Sequence, residues 1–390
     1  MATTHDKSLI VHGQGVFVFK QPTLTTPCVF HIWDKTKTTG IRVQFTSICV
    51  HVKLVPAGTF LCDPHNARGL SDISGAYYWF SLDAQNQRLY AGVGEARIET
   101  ADYKYELGHT YKSFLEAMTQ IEFLTAHIKP LRLLRDPVLS SSVALVVRNT
   151  DDLTMEDISR GTYMPKANLS IVAQKLYDCI AGPKFALNTP DFPQFSAAIE
   201  HSIATPGLWC NRRLAEKATE FSKDKPAPLE TYLRITLSEN NGESPGIPYV
   251  MEIWPRGGHY SPIHNHGAAN AVIRVLHGAI NVSLFPYLGA SISFAAREFV
   301  EGEITWISPT MNQVHRLKNI RDDQTCITIQ CYMYDESDRT HHDFFDFIDD
   351  VGSVGYYEPD SDMDFIAFKE LMRREWLEAQ AMRRCACFPK

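Results

Sequence analysis

The stretch Gly257-Gly258-His259-Tyr260-Ser261-Pro262-Ile263-His264-Asn265-His266-Gly267 concentrates histidine at a spacing that can do chemistry. In an extended strand side chains alternate, so His264 and His266 project from one face. Two imidazoles so placed can take adjacent positions on one metal ion. A facial set needs a third ligand from a neighbouring strand. His315, in Asn312-Gln313-Val314-His315-Arg316, is the candidate, following Gly302 and Trp306-Ile307-Ser308-Pro309. Imidazole suits iron, copper, zinc and nickel, so ligand type alone leaves the metal open. Other histidines read more plainly: His259 as a loop residue and His277, beside Gly278, as a turn residue. His341-His342-Asp343 resembles a ligand set but reads as the solvated start of a helix.

The elements that must hold these residues follow from periodicity. Residues 10 to about 107 read as β, in short β-branched and aromatic runs: Val16 to Phe19, Cys28 to Trp33, Ile41 to Phe45, Cys49 to Val55, Tyr77 to Leu82 and Arg88 to Val93. Turn-type residues separate them, and this spacing predicts a sandwich or barrel. Tyr77-Tyr78-Trp79-Phe80 reads either as a sugar-stacking platform or as core. Tyr111 to about His127 reads as a helix stopped before Pro130. Asp136-Pro137, Ser140-Ser141-Ser142 and Asn149 to Asp152 fit an interdomain connection. From Asn168 the period changes to about 3.6, with Leu169, Val172, Ala173, Leu176, Tyr177 and Ile180 on one face and Gly182-Pro183 as the stop. Helices continue over Phe192 to Ile203 and Arg212 to Phe221. Strand signals resume at Tyr232 to Leu237 and recur through Tyr334. An amphipathic helix follows over about Asp362 to Arg384.

With those elements in place, the histidine stretch resembles the two cupin motifs: a glycine, two histidines one residue apart, a later glycine in Leu276-His277-Gly278, then a lone histidine about fifty residues on. The resemblance implies a double-stranded β-helical barrel from about Leu229 to Tyr334. Metal-binding cupins mostly carry a glutamate five residues after the second histidine, and here that position is Ala271. The remaining set is three neutral histidines with no carboxylate, which leaves a divalent ion its full charge and suits an anionic ligand such as a thiolate. Over roughly Asn168 to Phe345 the chain is similar to cysteine dioxygenase and its thiol dioxygenase relatives, aligning without a gap from His264 to Gly278 and from His315 to Tyr332.

This resemblance implies an Fe(II) site on His264, His266 and His315, although another divalent metal fits the same ligands. It implies that Arg234, in Thr231-Tyr232-Leu233-Arg234, clamps a substrate carboxylate. A guanidinium suits that task through its planar two-point fork. It implies further that the Tyr332 hydroxyl faces substrate and dioxygen. The family's Ser-x-His-x-Tyr relay reads Thr328-Ile329-Gln330-Cys331-Tyr332 here. Gln330 can hydrogen-bond Tyr332 but cannot titrate as imidazole does. Ala271 replaces the cysteine that animal enzymes crosslink to that tyrosine, so no such crosslink can form.

Composition sets the frame. The chain has 390 residues, 44% of them apolar, with a net charge of −7. At about 100–200 residues per domain this predicts two or three domains with packed cores. The sequence contains no apolar run of about 20 residues, the length a membrane helix needs. The acidic balance, without a basic stripe, argues against nucleic acid or anionic lipid as partner. Nine scattered cysteines without a CxxC pair, and a first segment unlike a signal peptide, read as reduced thiols in a cytoplasmic protein. The Cys385-Ala386-Cys387 end reads as two exposed thiols.

The expectation is therefore a mainly β protein. Residues 1–150 form an N-terminal β-sandwich-like domain and 151–228 a helical connection. Residues 229–350 form the cupin thiol dioxygenase-like domain and 351–390 a helical tail. The expected activity is oxidation of a small, cysteine-like thiol by dioxygen to a sulfinate. The alternatives are a cupin metalloenzyme oxidising another small substrate and a metal-bound binding or regulatory protein.

Overall fold

The computed structural model describes residues 5–61, 69–73, 76–125, 128–138, 145–220, 227–238, 248–335, 345–349, 352–357 and 360–386. Cys62, residues 140–142, residues 240–246, His341-His342-Asp343 and Cys387 lie outside the described residues. Two units divide the chain, Met1–Ser141 and Ser142–Lys390.

The first unit contains two antiparallel five-stranded sheets. One runs, in spatial order, His5–Ser8, Met118–Phe123, Cys28–Asp34, Gly40–Phe45, Val50–Val55. The other runs Lys129–Leu134, Gln14–Lys20, Tyr77–Asp83, Arg88–Val93, Ala101–Glu106. Inward positions are heavily aromatic, and the rings interlock between the sheets: Phe30 lies 5.6 Å from Phe80, and Phe19 5.7 Å from Phe45. Tyr78, Trp79 and Phe80 are fully buried while Tyr77 is exposed, so this aromatic run is core and not a sugar-stacking platform. Among the described residues, the helix expected over Tyr111 to about His127 is mostly absent. One turn, Lys112–Glu116, leads into the strand Met118–Phe123. That strand sits between His5–Ser8 and Cys28–Asp34, where pairing on both sides overrides a weak helical pattern. Pro130 stands within the edge strand Lys129–Leu134, a position where the missing N–H removes no central ladder bond.

In the second unit the helical segment is close to its sequence pattern. Ser170 caps the helix Ile171–Ile180 by accepting from the Ala173 N–H. Val172, Ala173, Leu176, Tyr177 and Ile180 form its buried face. Helices Phe195–Ala204, Trp209–Glu220 and Phe365–Ala386 follow.

Two sheets build the barrel. The larger has eight strands in the order Tyr163–Pro165, Val146–Arg148, Ile304–Ile307, Asn270–His277, Cys326–Met333, Tyr249–Trp254, Leu233–Ser238, Met363–Asp364. The smaller has six: Ala295–Val300, Ala279–Leu284, His315–Lys318, His264–Asn265, Phe345–Ile348, Val354–Tyr357. Barrel strands thus lie on both sides of the expected 229–334 span. The segment after 350 contributes two of them before its helix, which buries Phe368 and Met372 completely. Mainly β architecture is the fold, and the two sheets of this unit share a core of Trp254, Val275, Ile280, Val282 and Leu317.

Alternation explains how one sheet serves two surroundings. Its outer face presents Ile235, Met251, Ile253, Ile327, Ile329 and Cys331 to Leu176, Phe195, Ile199, Leu214 and Phe368 of the helices. Each fully buried aliphatic side chain there contributes about 1.5–3 kcal/mol. The inner face carries Arg234, Glu252, Trp254, Thr328, Gln330 and Tyr332. At the turn after Asn270–His277, Gly278 has φ +72°, and an added Cβ would meet the Thr325 carbonyl oxygen at 2.4 Å. Only glycine fits that corner.

Candidate metal centre

His264 and His315 stand directly opposite each other in adjacent antiparallel strands, and His266 follows two residues after His264. Cross-strand pairing and alternation therefore bring all three imidazoles to one face. Their ligand-capable nitrogens lie within 4.8 Å of one another.

Local hydrogen bonds fix two of the rings. His264 Nδ1 donates to the Pro262 carbonyl at 3.0 Å. His315 Nδ1 lies 3.2 Å from the carbonyl oxygens of both Asn312 and Gln313. These contacts set the tautomer and leave Nε2 as the lone-pair nitrogen. Asn312 adopts a left-handed φ of +62°, which asparagine tolerates, and its Nδ2 donates to Trp306 O at 2.9 Å. Gln313 stitches the two ligand loops together: its Oε1 accepts the His266 N–H at 3.3 Å, and its Nε2 donates to Ala269 O at 2.9 Å.

The donor set fits a divalent metal. His315 Nε2 and His266 Nδ1 are buried without a hydrogen-bond partner, a costly state for polar atoms that metal coordination would relieve. Burial holds all three rings neutral, the form that ligates. It lowers His264 to about 4 and His315 to about 3, and His266 falls well below its ordinary value. The neighbouring Arg234 adds to the lowering at His264 and His266. The Phe345 ring packs edge-on against His266 at 4.0 Å and walls off one side.

Across the same cavity lie Arg234, Glu252, Gln330 and Tyr332. Arg234 and Glu252 are directly opposed in register, as are Glu252 and Thr328; Gln330 and Tyr332 continue that face at two-residue steps. Arg234, His264, His266, Gln330 and Tyr332 line this cavity, and His315 stands beside it in the histidine cluster. His259 does not join them, since its Nδ1 lies 2.8 Å from the Thr231 carbonyl. His277 lies beside Gln324 near the Gly278 turn. Ala271 stands opposite Tyr332 and packs with Val250 and Ile307.

Glu252 is the residue that sequence reasoning missed. Its signal is a lone acid inside the apolar run Tyr249-Val250-Met251-Glu252-Ile253-Trp254. It is 4% exposed, and burial raises its carboxyl to about 7 against the lowering from Arg234, Lys217 and the Gln330 hydrogen bond. Phe345 and Tyr357 also line the cavity, from strands beyond the expected barrel end.

Comparison with known proteins adds little to this geometry. No family model matches the chain, and no curated protein matches it. Solved structures with similarity to part of it include an oxalate oxidase in complex with the substrate analogue glycolate, at 16% identity and TM-score 0.23 over 26% of this chain and 51% of that one. The Schizosaccharomyces pombe Cnp3 cupin domain matches at 13% identity and TM-score 0.22, over 27% of this chain and 65% of that one. The DMSP lyase DddQ from Ruegeria pomeroyi matches at 14% identity and TM-score 0.22, over 28% and 49%. The similarity thus spans about half to two thirds of each neighbour and about a quarter of this chain.

Proposed function

We propose that the second unit is a non-haem iron(II) thiol dioxygenase acting on a small thiol that also carries a carboxylate, with cysteine as the reference substrate. The observation that carries this reading is a cluster of three neutral imidazoles without a carboxylate ligand, set across one cavity from a buried arginine. An iron held by His264, His266 and His315 would supply the redox and Lewis-acid chemistry that joins sulfur to dioxygen.

The remaining work falls to the chain's own side chains. Arg234 binds the substrate carboxylate through its two-pronged guanidinium and so orients the sulfur toward the histidine cluster. Phe345 and Trp254 exclude water from the cavity walls, and Tyr232 stacks on Trp254 at 4.2 Å to hold that wall rigid. Tyr332 holds its phenolic proton, because burial raises it above its ordinary value, and so presents a neutral hydroxyl at every working pH. The net change is addition of both oxygen atoms to the thiol sulfur, giving a sulfinate.

The test is anaerobic iron loading of the full chain, then dioxygen uptake with a panel of small thiols and mass detection of the products. A gain of two oxygens on one thiol is the expected result. Iron bound without thiol-dependent uptake refutes the reading. A second reading, turnover of a non-thiol carboxylate on the same centre, draws on Arg234 and Glu252 alone. Carboxylates lacking sulfur belong in the same panel.

A further inference from the structure

Tyr332, Gln330 and Glu252 form a single-file hydrogen-bonded chain. Tyr332 Oη donates to Gln330 Oε1, and Gln330 Nε2 donates to Glu252 Oε2. The other carboxylate oxygen, Oε1, lies 3.7 Å from Arg234 Nη1. The polarity of the chain is fixed at the carboxylate end. An ionised carboxylate only accepts, so the amide must turn its NH2 to Glu252 and its carbonyl to Tyr332. The phenol then spends its one hydrogen on the amide, and toward the cavity its oxygen can only accept.

Protonation of Glu252 reverses this order. The acid donates to Gln330 Oε1 once the amide has turned over, the amide N–H donates to Tyr332 Oη, and the phenolic hydrogen is released toward the cavity beside His266. One proton is taken from solvent at Glu252. Gln330 and Tyr332 keep the hydrogens they hold and redirect them. We propose that Glu252 is a positioning residue that sets, through Gln330, whether Tyr332 offers the cavity a hydrogen or a lone pair, and that an anion arriving at Arg234 throws the chain to the hydrogen-donating state.

The second half follows from the shared arginine. A substrate carboxylate that takes over the Arg234 guanidinium removes the nearest cation from Glu252, and the protonated acid becomes the favoured form. The charged groups facing Glu252 are Arg234 and Lys217; the titratable ones are the phenols Tyr232, Tyr332 and Tyr357. Burial keeps all three phenols neutral near pH 7. Lys217 is held 2.8 Å from Asp362, so its charge is already engaged. Glu252 itself stands at about 7, close to the point where one lost cation decides its state.

The part concerning substrate rests on the dioxygenase reading; the switch itself does not. Its test is spectroscopic and uses the metal-free full chain. Infrared difference spectra between about pH 5 and about pH 9 should show a carboxylic-acid carbonyl band that Glu252→Gln removes. Raman spectra of the tyrosine ring doublet, assigned by Tyr332→Phe, should switch between donor and acceptor signatures over the same range. Gln330→Met should uncouple the tyrosine signal from the carboxyl band. A Tyr332 signal that stays constant while Glu252 titrates overturns the proposal, as does absence of the carboxyl band. If Glu252→Gln does not fold, the wild-type tyrosine signal decides alone.

With iron and L-cysteine, wild-type kcat should fall about tenfold per pH unit above the Glu252 ionisation, and Glu252→Gln should stay within about twofold. Identical pH profiles overturn the proposal while leaving the dioxygenase reading intact. No thiol-dependent uptake together with a coupled spectroscopic switch overturns the dioxygenase reading and leaves the switch standing.

Discussion

Replacing His266 with leucine should make the metal-free protein less sensitive to acid, by an amount the structure fixes. His266 and His315 are 4% and 1% exposed, and both are held far below the ordinary imidazole value of 6.5. The folded state therefore keeps them neutral at a pH where the unfolded chain has taken up a proton on each. Stability from this source is fully present above 6.5 and is lost as pH falls from there toward the folded value, which for His315 is about 3. Each such group removes about 1.4 kcal/mol per pH unit in that window. Passing from about pH 7.5 to about pH 5.5 should then cost about 3 kcal/mol for the pair, beside about 1.4 kcal/mol from His264, which is lowered to about 4 and stays in both variants. His266→Leu should recover about half of the pair's cost, and the double variant with His315→Leu nearly all of it. Above pH 7 the single variant should be no less stable than wild type. It removes a buried Nδ1 with no partner, worth about 1–3 kcal/mol, from beside the rings of Phe345 and Tyr332. Urea unfolding with a chelator present, read by hydrogen exchange of peptides from Cys326–Met333, reports on the second unit alone. If wild type and variants lose stability in parallel as pH falls, the buried-histidine argument is refuted.

Three further outcomes test the site and its frame. His315→Ala should abolish binding of one ferrous or cobaltous ion per chain in calorimetric titration and abolish thiol-dependent uptake with it; retained stoichiometric metal would exclude His315 as ligand. Arg234→Ala should keep its metal but raise KM about 10–100-fold, the cost of losing charge-assisted hydrogen bonds of about 1.5–3 kcal/mol, with a smaller change in kcat. Unchanged kinetics would sink the clamp. Gly278→Ala should destabilise the second unit by about 1–3 kcal/mol or more, since φ +72° and the Thr325 carbonyl both oppose a side chain; a wild-type urea midpoint would refute that argument.

The histidine cluster was legible because the strand period and the ligand spacing are both local. His264 and His266 share a face by alternation, and His315, about fifty residues on, was reached as the third ligand that a facial set needs from a neighbouring strand. Helices with a continuous apolar face, such as Ile171–Ile180 with its Ser170 cap, were legible for the same reason. What escaped depends on partners far away in sequence. Met118–Phe123 becomes a strand because neighbours on both sides complete its ladder, and its own residues do not announce that. Val354–Tyr357 joins the smaller sheet by pairing with Phe345–Ile348, past the point where the sequence pattern fades.

Glu252 shows how the same reasoning could have gone further. In Tyr249–Trp254 the outward positions Met251 and Ile253 pack on the helices, which leaves Val250, Glu252 and Trp254 facing inward. An acid on the inner face of a barrel strand is expensive unless something across the sheet receives it. Arg234 lies directly opposite, and Gln330 reaches it from the other side. The two departures from alternating apolar pattern, Glu252 and Gln330, are therefore one feature. Gln330 cannot change its charge, but it can change which way its amide points, and only a neighbour that gains or loses a proton gives it reason to turn. A glutamine between a buried carboxyl and a phenol transmits the carboxyl's state without carrying a charge, so Gln330 and Tyr332 stay neutral while the direction of their hydrogen bonds changes.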